Sequence, residues 1–130
     1  MYNVFIAALE TKAAYWKAGP SRKEIEHTMY TANSIRNIVL LGHSGSGKTA
    51  LAESLLYMTG AIVRMGKNAD GNTVCDYDPE EIRRNISIST SVVPLEYKNV
   101  KINLLDAPGG FDFSGAAIEA LRAADAAILV

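Results

Sequence analysis

What this chain lacks narrows the possibilities first. Cys75 is its only cysteine in 130 residues, so an internal disulfide is impossible and a reducing compartment is the simplest setting. A charge excess is also missing. The net charge of −1 leaves no electrostatic footprint for nucleic acid, and any contact with RNA or DNA would have to come from elsewhere in a larger molecule. The apolar runs are far too short to span a bilayer. No basic segment precedes the run from Val4 to Leu9, and Glu10 cuts it short, which argues against a secretory signal. Repeats and low-complexity tracts are absent. At 48% hydrophobic and 21% charged, the chain has apolar side chains enough for one core and too few residues for a second domain.

What is present centres on Gly42-His43-Ser44-Gly45-Ser46-Gly47-Lys48-Thr49, which fits the phosphate-loop pattern of a glycine, four free positions, then Gly-Lys-Thr. The apolar run Ile38-Val39-Leu40-Leu41 before it suits a parallel strand covered on both faces. After it, Leu51, Leu55 and Met58 fall at helical spacing with the helix formers Ala50, Ala52 and Glu53 between them, and Thr59-Gly60 is the stop. In such a loop successive backbone N–H groups turn toward phosphate oxygens, and Gly42, Gly45 and Gly47 spare the main chain side-chain clashes. The helix opening at Lys48 adds its positive end. Lys48 is expected to reach the β and γ phosphates, and Thr49 to place its hydroxyl on Mg²⁺. The plain alternative is a Gly/Ser-rich turn that only joins strand to helix. His43 is expected to pack or face solvent rather than do acid–base work.

From Ala61 to Arg84 regular patterning lapses, and the turn formers Gly66, Asn68, Asp70, Gly71 and Asn72 mark an unusually long connection. Within it Asp78-Pro79-Glu80-Glu81 signals a short helix through Arg84, with an N-cap acid, proline at the first position and acids in the first turn. The charges of Glu80, Glu81, Arg83 and Arg84 are expected to form a solvated face, and Cys75 to serve as a small apolar residue. Two strands should follow. Ile86 to Thr90 alternates and Val92 to Tyr97 continues it, Lys98-Asn99 turns, and Val100 to Leu105 returns. Pro94 places the first of them at a sheet edge.

The second strand delivers Asp106 at its tip, where a carboxylate can hold Mg²⁺ through water. Asp106-Ala107-Pro108-Gly109 adds a glycine whose N–H could touch a γ phosphate. The plain alternative for Asp106 is a strand-end cap. Taken with the long connection, these parts describe a switch GTPase better than a generic ATPase. Beyond them, Gly115 to Ala124 reads as a helix with Ile118 and Leu121 inward and Glu119 and Arg122 outward, and Ala126 to Val130 as a strand of the buried type whose apolar edge is expected to stay uncovered without later helices and strands. The fold class is therefore α/β: a three-layer P-loop NTPase, mostly parallel, with an antiparallel edge strand.

At these residues the chain resembles the translational GTPases, specifically elongation factor G and its elongation-factor-G-like paralogues. The resemblance rests on Ile35-Arg36-Asn37-Ile38, the loop Gly42 to Thr49, Leu55 to Gly60, Arg84-Asn85-Ile86-Ser87-Ile88 and Asp106 to Phe113. It implies a G domain that binds GTP or GDP with Mg²⁺, acts on the ribosome as part of a longer protein, and resides in the cytoplasm. On it, Ala61 to Ser89 would be the first switch, Asp106 to Ser114 the second, and Ser87 would stand at the Mg²⁺-binding switch hydroxyl. The nucleotide-contacting set is then Gly42 to Thr49 together with Asp106, Ala107, Pro108, Gly109 and Gly110; Thr49, Ser87 and Asp106 face the metal. Gly110 stands where elongation factor G usually has a histidine that helps place the attacking water, so hydrolysis is expected to be slow and no side chain here is assigned as catalytic. Gly45 replaces an aspartate of the family, and Ser87 and Ala107 replace threonines.

The guanine-reading Asn-Lys-x-Asp turn does not occur before Val130, so residues 29–130 are expected to be the amino-terminal part of a G domain, cut after its fourth strand. An ATP-binding P-loop kinase or ATPase, or a truncated inactive product, are the alternatives. In residues 1–28, Ile6, Leu9, Ala13 and Trp16 share one helical face before Gly19-Pro20 breaks it. That stretch is expected to be upstream read-through ahead of an initiator at Met29, the alternative being a docked N-terminal helix.

Overall fold

The computed structural model describes residues 30–130, and the reading of residues 1–28 as a leader lies outside them. Four strands and three helices follow a single turn at Ala32–Ser34. In order they are β1 (Ile35–Leu41), α1 (Lys48–Met58), α2 (Pro79–Arg84), β2 (Ser91–Tyr97), β3 (Val100–Asp106), α3 (Ser114–Ala123) and β4 (Ala126–Leu129). The sheet order is β2-β3-β1-β4. β1 runs parallel to both neighbours, with Leu40 beside Asp106 of β3 and Ile128 of β4. β2 is the antiparallel edge, which accommodates Pro94 opposite Asn103. Lys98 and Asn99 turn with φ of 48° and 62°, the mirror-image turn whose twist matches the strands it joins.

Because neighbouring side chains on a strand point to opposite faces, β1 and β3 feed two cores. On one face Leu40 and Leu104 meet Ala52 and Leu56 of α1, with Val93, Leu95 and Cys75. On the other, Val39, Leu105 and Ala107 meet Ala120 of α3. The result is the three-layer, mostly parallel α/β arrangement with one antiparallel pair. A polar stitch crosses it. Asn103 donates to Asn37 Oδ1 at 2.8 Å, Asn37 donates to the Ala123 carbonyl at 3.1 Å, and the Asn37 N–H donates to Asp125 at 2.7 Å.

Several expectations about facing are filled in or corrected. In α1 the inward residues are Thr49, Ala52, Glu53 and Leu56, an i, i+3, i+4, i+7 set fixed by the loop that turns Thr49 inward. Met58 is 80% exposed, while Leu51 and Leu55 pack at the rim of the core. In α3 the small residues Ala117 and Ala120 face the sheet, and Ile118 and Leu121 are about half exposed. β4 is an edge strand whose four residues are all exposed, in keeping with the uncovered apolar edge expected there. Residues 86–90 form no strand. Their backbone donors are taken by a side chain instead, since Ile88 and Ser89 N–H both donate to Glu81. Glu81 is accordingly 1% exposed and not on a solvated face. The helix start at Asp78 is as expected, with a full capping box between Asp78 and Glu81. Cys75 is buried at 1% exposure, and burial pushes its thiol well above the ordinary range.

Candidate functional site

The carboxyl ends of β1 and β3 bring the two sequence signals together. β1 runs into the loop Gly42 to Thr49, where Gly47 caps α1 in the left-handed region at φ 100°, a conformation that favours glycine. Lys48 is 6% exposed and folds back on the loop, its Nζ donating to the Gly42 carbonyl at 3.0 Å and the His43 carbonyl at 2.9 Å. Burial lowers its pKa, opposed by the nearby charge of Asp106. β3 ends in Asp106, which accepts a 2.7 Å hydrogen bond from Thr49 Oγ1. Burial raises the Asp106 pKa; the hydrogen bond from Thr49 and the charge of Lys48 oppose that rise and Asp76 adds to it. Behind Asp106 the chain turns so tightly on the phosphate loop that a Cβ at Gly109 would lie 2.5 Å from Lys48 Nζ and 2.6 Å from the Gly42 carbonyl oxygen.

The long connection supplies the facing wall. Ser87 Oγ donates to Asp76 Oδ1 at 2.9 Å, and Asn68 Nδ2 donates to Asp76 Oδ2 at 2.8 Å. A cleft of about 240 Å³ lies between the walls, with Ser44, Gly45, Gly47, Lys48, Thr49, Ala50 and Gly109 on one side and Asn68, Asn85, Ile86 and Ser87 on the other. A larger groove of about 620 Å³, lined by Tyr30, Thr31, Ser34 and residues 96–99, lies at the opposite end of β2 and β3 and includes no residue read as functional from sequence.

The remaining expected residues fall around the cleft rather than in its lining. Gly42, His43 and Ser46 form the base and shoulder of the loop; His43 is exposed and its Nδ1 meets the Ser44 carbonyl at 2.6 Å. Ala107 and Pro108 are buried behind the turn, Ala107 as part of the α3 core. Gly110 is half-buried next to Phe113. Sequence reasoning missed Asn68 and Asn85 as lining residues and Glu53 as a buried group. Asn68 read as one turn former among several. Asn85 caps α2 at φ 56°, a position where asparagine is tolerated for backbone reasons alone.

The donor set fits a triphosphate with a divalent cation. Asp106 Oδ1 and Ser46 Oγ are buried with no hydrogen-bond partner among the described residues, although buried polar atoms are normally paired. Thr49 and Ser87 each give their proton to a carboxylate, which leaves the hydroxyl lone pairs available as ligands. No group of three or more His, Cys, Asp or Glu among the described residues could hold a metal ion by itself. A hard cation here would therefore share its coordination with phosphate oxygens.

Comparison with known proteins agrees with this geometry. Residues 33–130 match the family model described as the elongation factor Tu GTP binding domain. An elongation factor G-like protein of Mycobacterium tuberculosis is 47% identical over 103 residues, covering 77% of this chain and 14% of that protein. A mitochondrial ribosome-releasing factor 2 of Candida albicans is 36% identical over 113 residues, covering 83% and 14%. A crystal structure of a Thermus thermophilus protein superposes with a TM-score of 0.71 at 48% identity, over 74% of this chain and 14% of that one. The chain thus spans about one-seventh of the length of these three relatives.

Proposed function

The chain belongs to the family of elongation factor Tu GTP-binding domains, and from that we propose that it forms the phosphate-binding and switch portion of an elongation-factor-G-like factor acting on the ribosome. The observation that carries this reading is the cleft in which the phosphate loop faces Ser87 across from Gly109. In it the amides of Gly42 to Thr49 wrap the phosphates of GTP or GDP, and Lys48 leaves its two carbonyl partners to meet the β and γ phosphates. Thr49, Ser87 and Asp106 would hold Mg²⁺, which when bound neutralises phosphate charge. Residues 106–110 follow the terminal phosphate, with the Gly109 N–H nearest to it, and residues 61–89 close from the other side. Residues 29–130 are then the amino-terminal part of a G domain. No helix among the described residues is long and apolar enough to cross a membrane.

Gly110 sets the expected rate. Its backbone, at φ −78° and ψ 139°, accepts any residue, and a Cβ there would stand 3.2 Å from the Phe113 ring, a contact relieved by a shift of a few tenths of an ångström. The missing side chain is thus a chemical choice and not a requirement of the turn. With nothing at that position to orient a water, hydrolysis is slow, because water positioning is a large part of catalysis in such sites. Gly110→His should raise ribosome-stimulated single-turnover hydrolysis; unsubstituted protein that already matches an ordinary elongation factor G would refute the assignment. Thermal melts with Mg-GTP, Mg-ATP and no ligand test the binding itself. Stabilisation by both nucleotides, with weak selectivity, is expected from phosphate contacts, and no stabilisation by either would remove the reading.

A further inference from the structure

Glu53 has no role in the reading above, yet it is one of the most buried residues of the chain at 0% exposure. It lies on the inward face of α1, one turn beyond Thr49. Its two carboxylate oxygens each accept a backbone donor from the long connection: Gly66 N–H at 2.8 Å and Val74 N–H at 2.5 Å. No ion pair to Glu53 is present among the described residues. The residues between those donors form a closed loop. Lys67 N–H donates to Asn72 Oδ1 at 2.7 Å, a single turn covers Asn68–Asp70, and a Cβ on Gly66 would lie 2.5 Å from the Asn72 carbonyl oxygen. One carboxylate therefore closes the neck of a loop that has no strand pairing to hold it.

That loop carries Asn68 into the cleft wall. Asn68 is joined to Ser87 through Asp76, which accepts from both. We infer that Glu53 is a positioning residue: by holding both sides of the 66–74 neck against α1 it fixes Asn68, and through Asp76 also Ser87, in the wall facing the phosphate loop. This rests on the nucleotide-binding reading and deepens it. The diphosphate end of a nucleotide is served by the phosphate loop alone. The facing wall matters for the terminal phosphate and its cation, so the neck should set the preference for triphosphate over diphosphate.

The test uses the full chain with three variants. Glutamine at Glu53 keeps the shape but offers one acceptor oxygen for two donors; Glu53→Asp keeps the charge and cannot span both. Asn68→Ala leaves the neck intact and removes the wall residue. The readouts are amide hydrogen exchange at Gly66 and Val74, and affinity for a non-hydrolysable GTP analogue and for GDP with Mg²⁺. For E53Q and E53D we expect faster exchange at one or both amides and about a tenfold loss of analogue affinity, the scale of a lost bond to a charged group, with GDP affinity changed less than twofold. N68A should leave exchange at the neck unchanged and lose part of the triphosphate preference. Equal losses for both nucleotides in E53Q and E53D would mean a merely structural role and overturn the inference, as would open necks with full analogue affinity or an N68A variant with unaltered preference. Unsubstituted chain that binds neither nucleotide would instead fail the functional reading, and this inference with it.

Discussion

Asp106 does two opposing things at the scale of one residue. It is ionisable and almost fully buried, and burial holds its pKa above the ordinary 3.8. An acid whose pKa is raised in the fold binds its proton more tightly folded than unfolded. Its contribution to stability is therefore best below 3.8 and declines as pH rises from there through the folded value. Asp106→Asn should remove that decline, so urea melts across the same window should show the variant gaining on the parent as pH rises. In the same variant the part of nucleotide affinity that depends on Mg²⁺ should disappear, because the neutral amide cannot support the cation. Thr49→Ala should behave oppositely in the absence of ligand. It strips Asp106 of the 2.7 Å bond from Thr49, and denaturation should report a loss of about 2 kcal/mol, as for other bonds to buried charge.

Among the elements, the phosphate loop, α1, the start of α2 and β3 were legible because each had a strong local cause: glycines at set spacing, apolar residues at helical spacing, a capping acid before proline, an apolar run ending in an acid. The rest of the connection was not. Its alternation at 86–90 read as a strand, yet those backbone groups end on Glu81, and no local pattern shows a carboxylate seven residues earlier taking the N–H of Ile88. The same blindness hid Glu53, whose partners lie 13 and 21 residues away. This connection is held by buried carboxylates rather than by ladders, so its sensitivity to substitution should be uneven. Asp78→Ala removes one half of a capping box and should cost about 1 kcal/mol. Glu81→Ala strands the donors of Ile88 and Ser89 as well and should cost about 2–3 kcal/mol. Denaturation of the two variants side by side checks the ranking. At the far hairpin, Asn99→Gly should stabilise by about 0.5 kcal/mol, since φ of 62° suits glycine better than asparagine.

For the molecule as a whole, the sequence showed the layer order and the edge position of β2, but not which sides of the helices face the sheet. That is decided by packing. Alanines take the sheet side of α3, leaving Ile118 and Leu121 outward, and Leu129 of the exposed edge strand β4 is 83% exposed. Such an edge invites pairing between copies. Light scattering of the chain at high concentration should show self-association that Leu129→Lys reduces, with little change in melting temperature. The site, in turn, was legible where one segment builds it and hidden where Asn68 and Asn85 arrive from a distant turn and a helix end. A last consequence follows from Cys75. It is the chain's sole thiol, carried by the long connection and buried against Leu40, Leu56 and Val93 of the core with its carbonyl accepting from Ser91, and its burial disfavours the reactive thiolate. An alkylating reagent can therefore reach it only while the connection that carries it lifts off the core, and the speed of its capture is a built-in stopwatch for how often the protein opens.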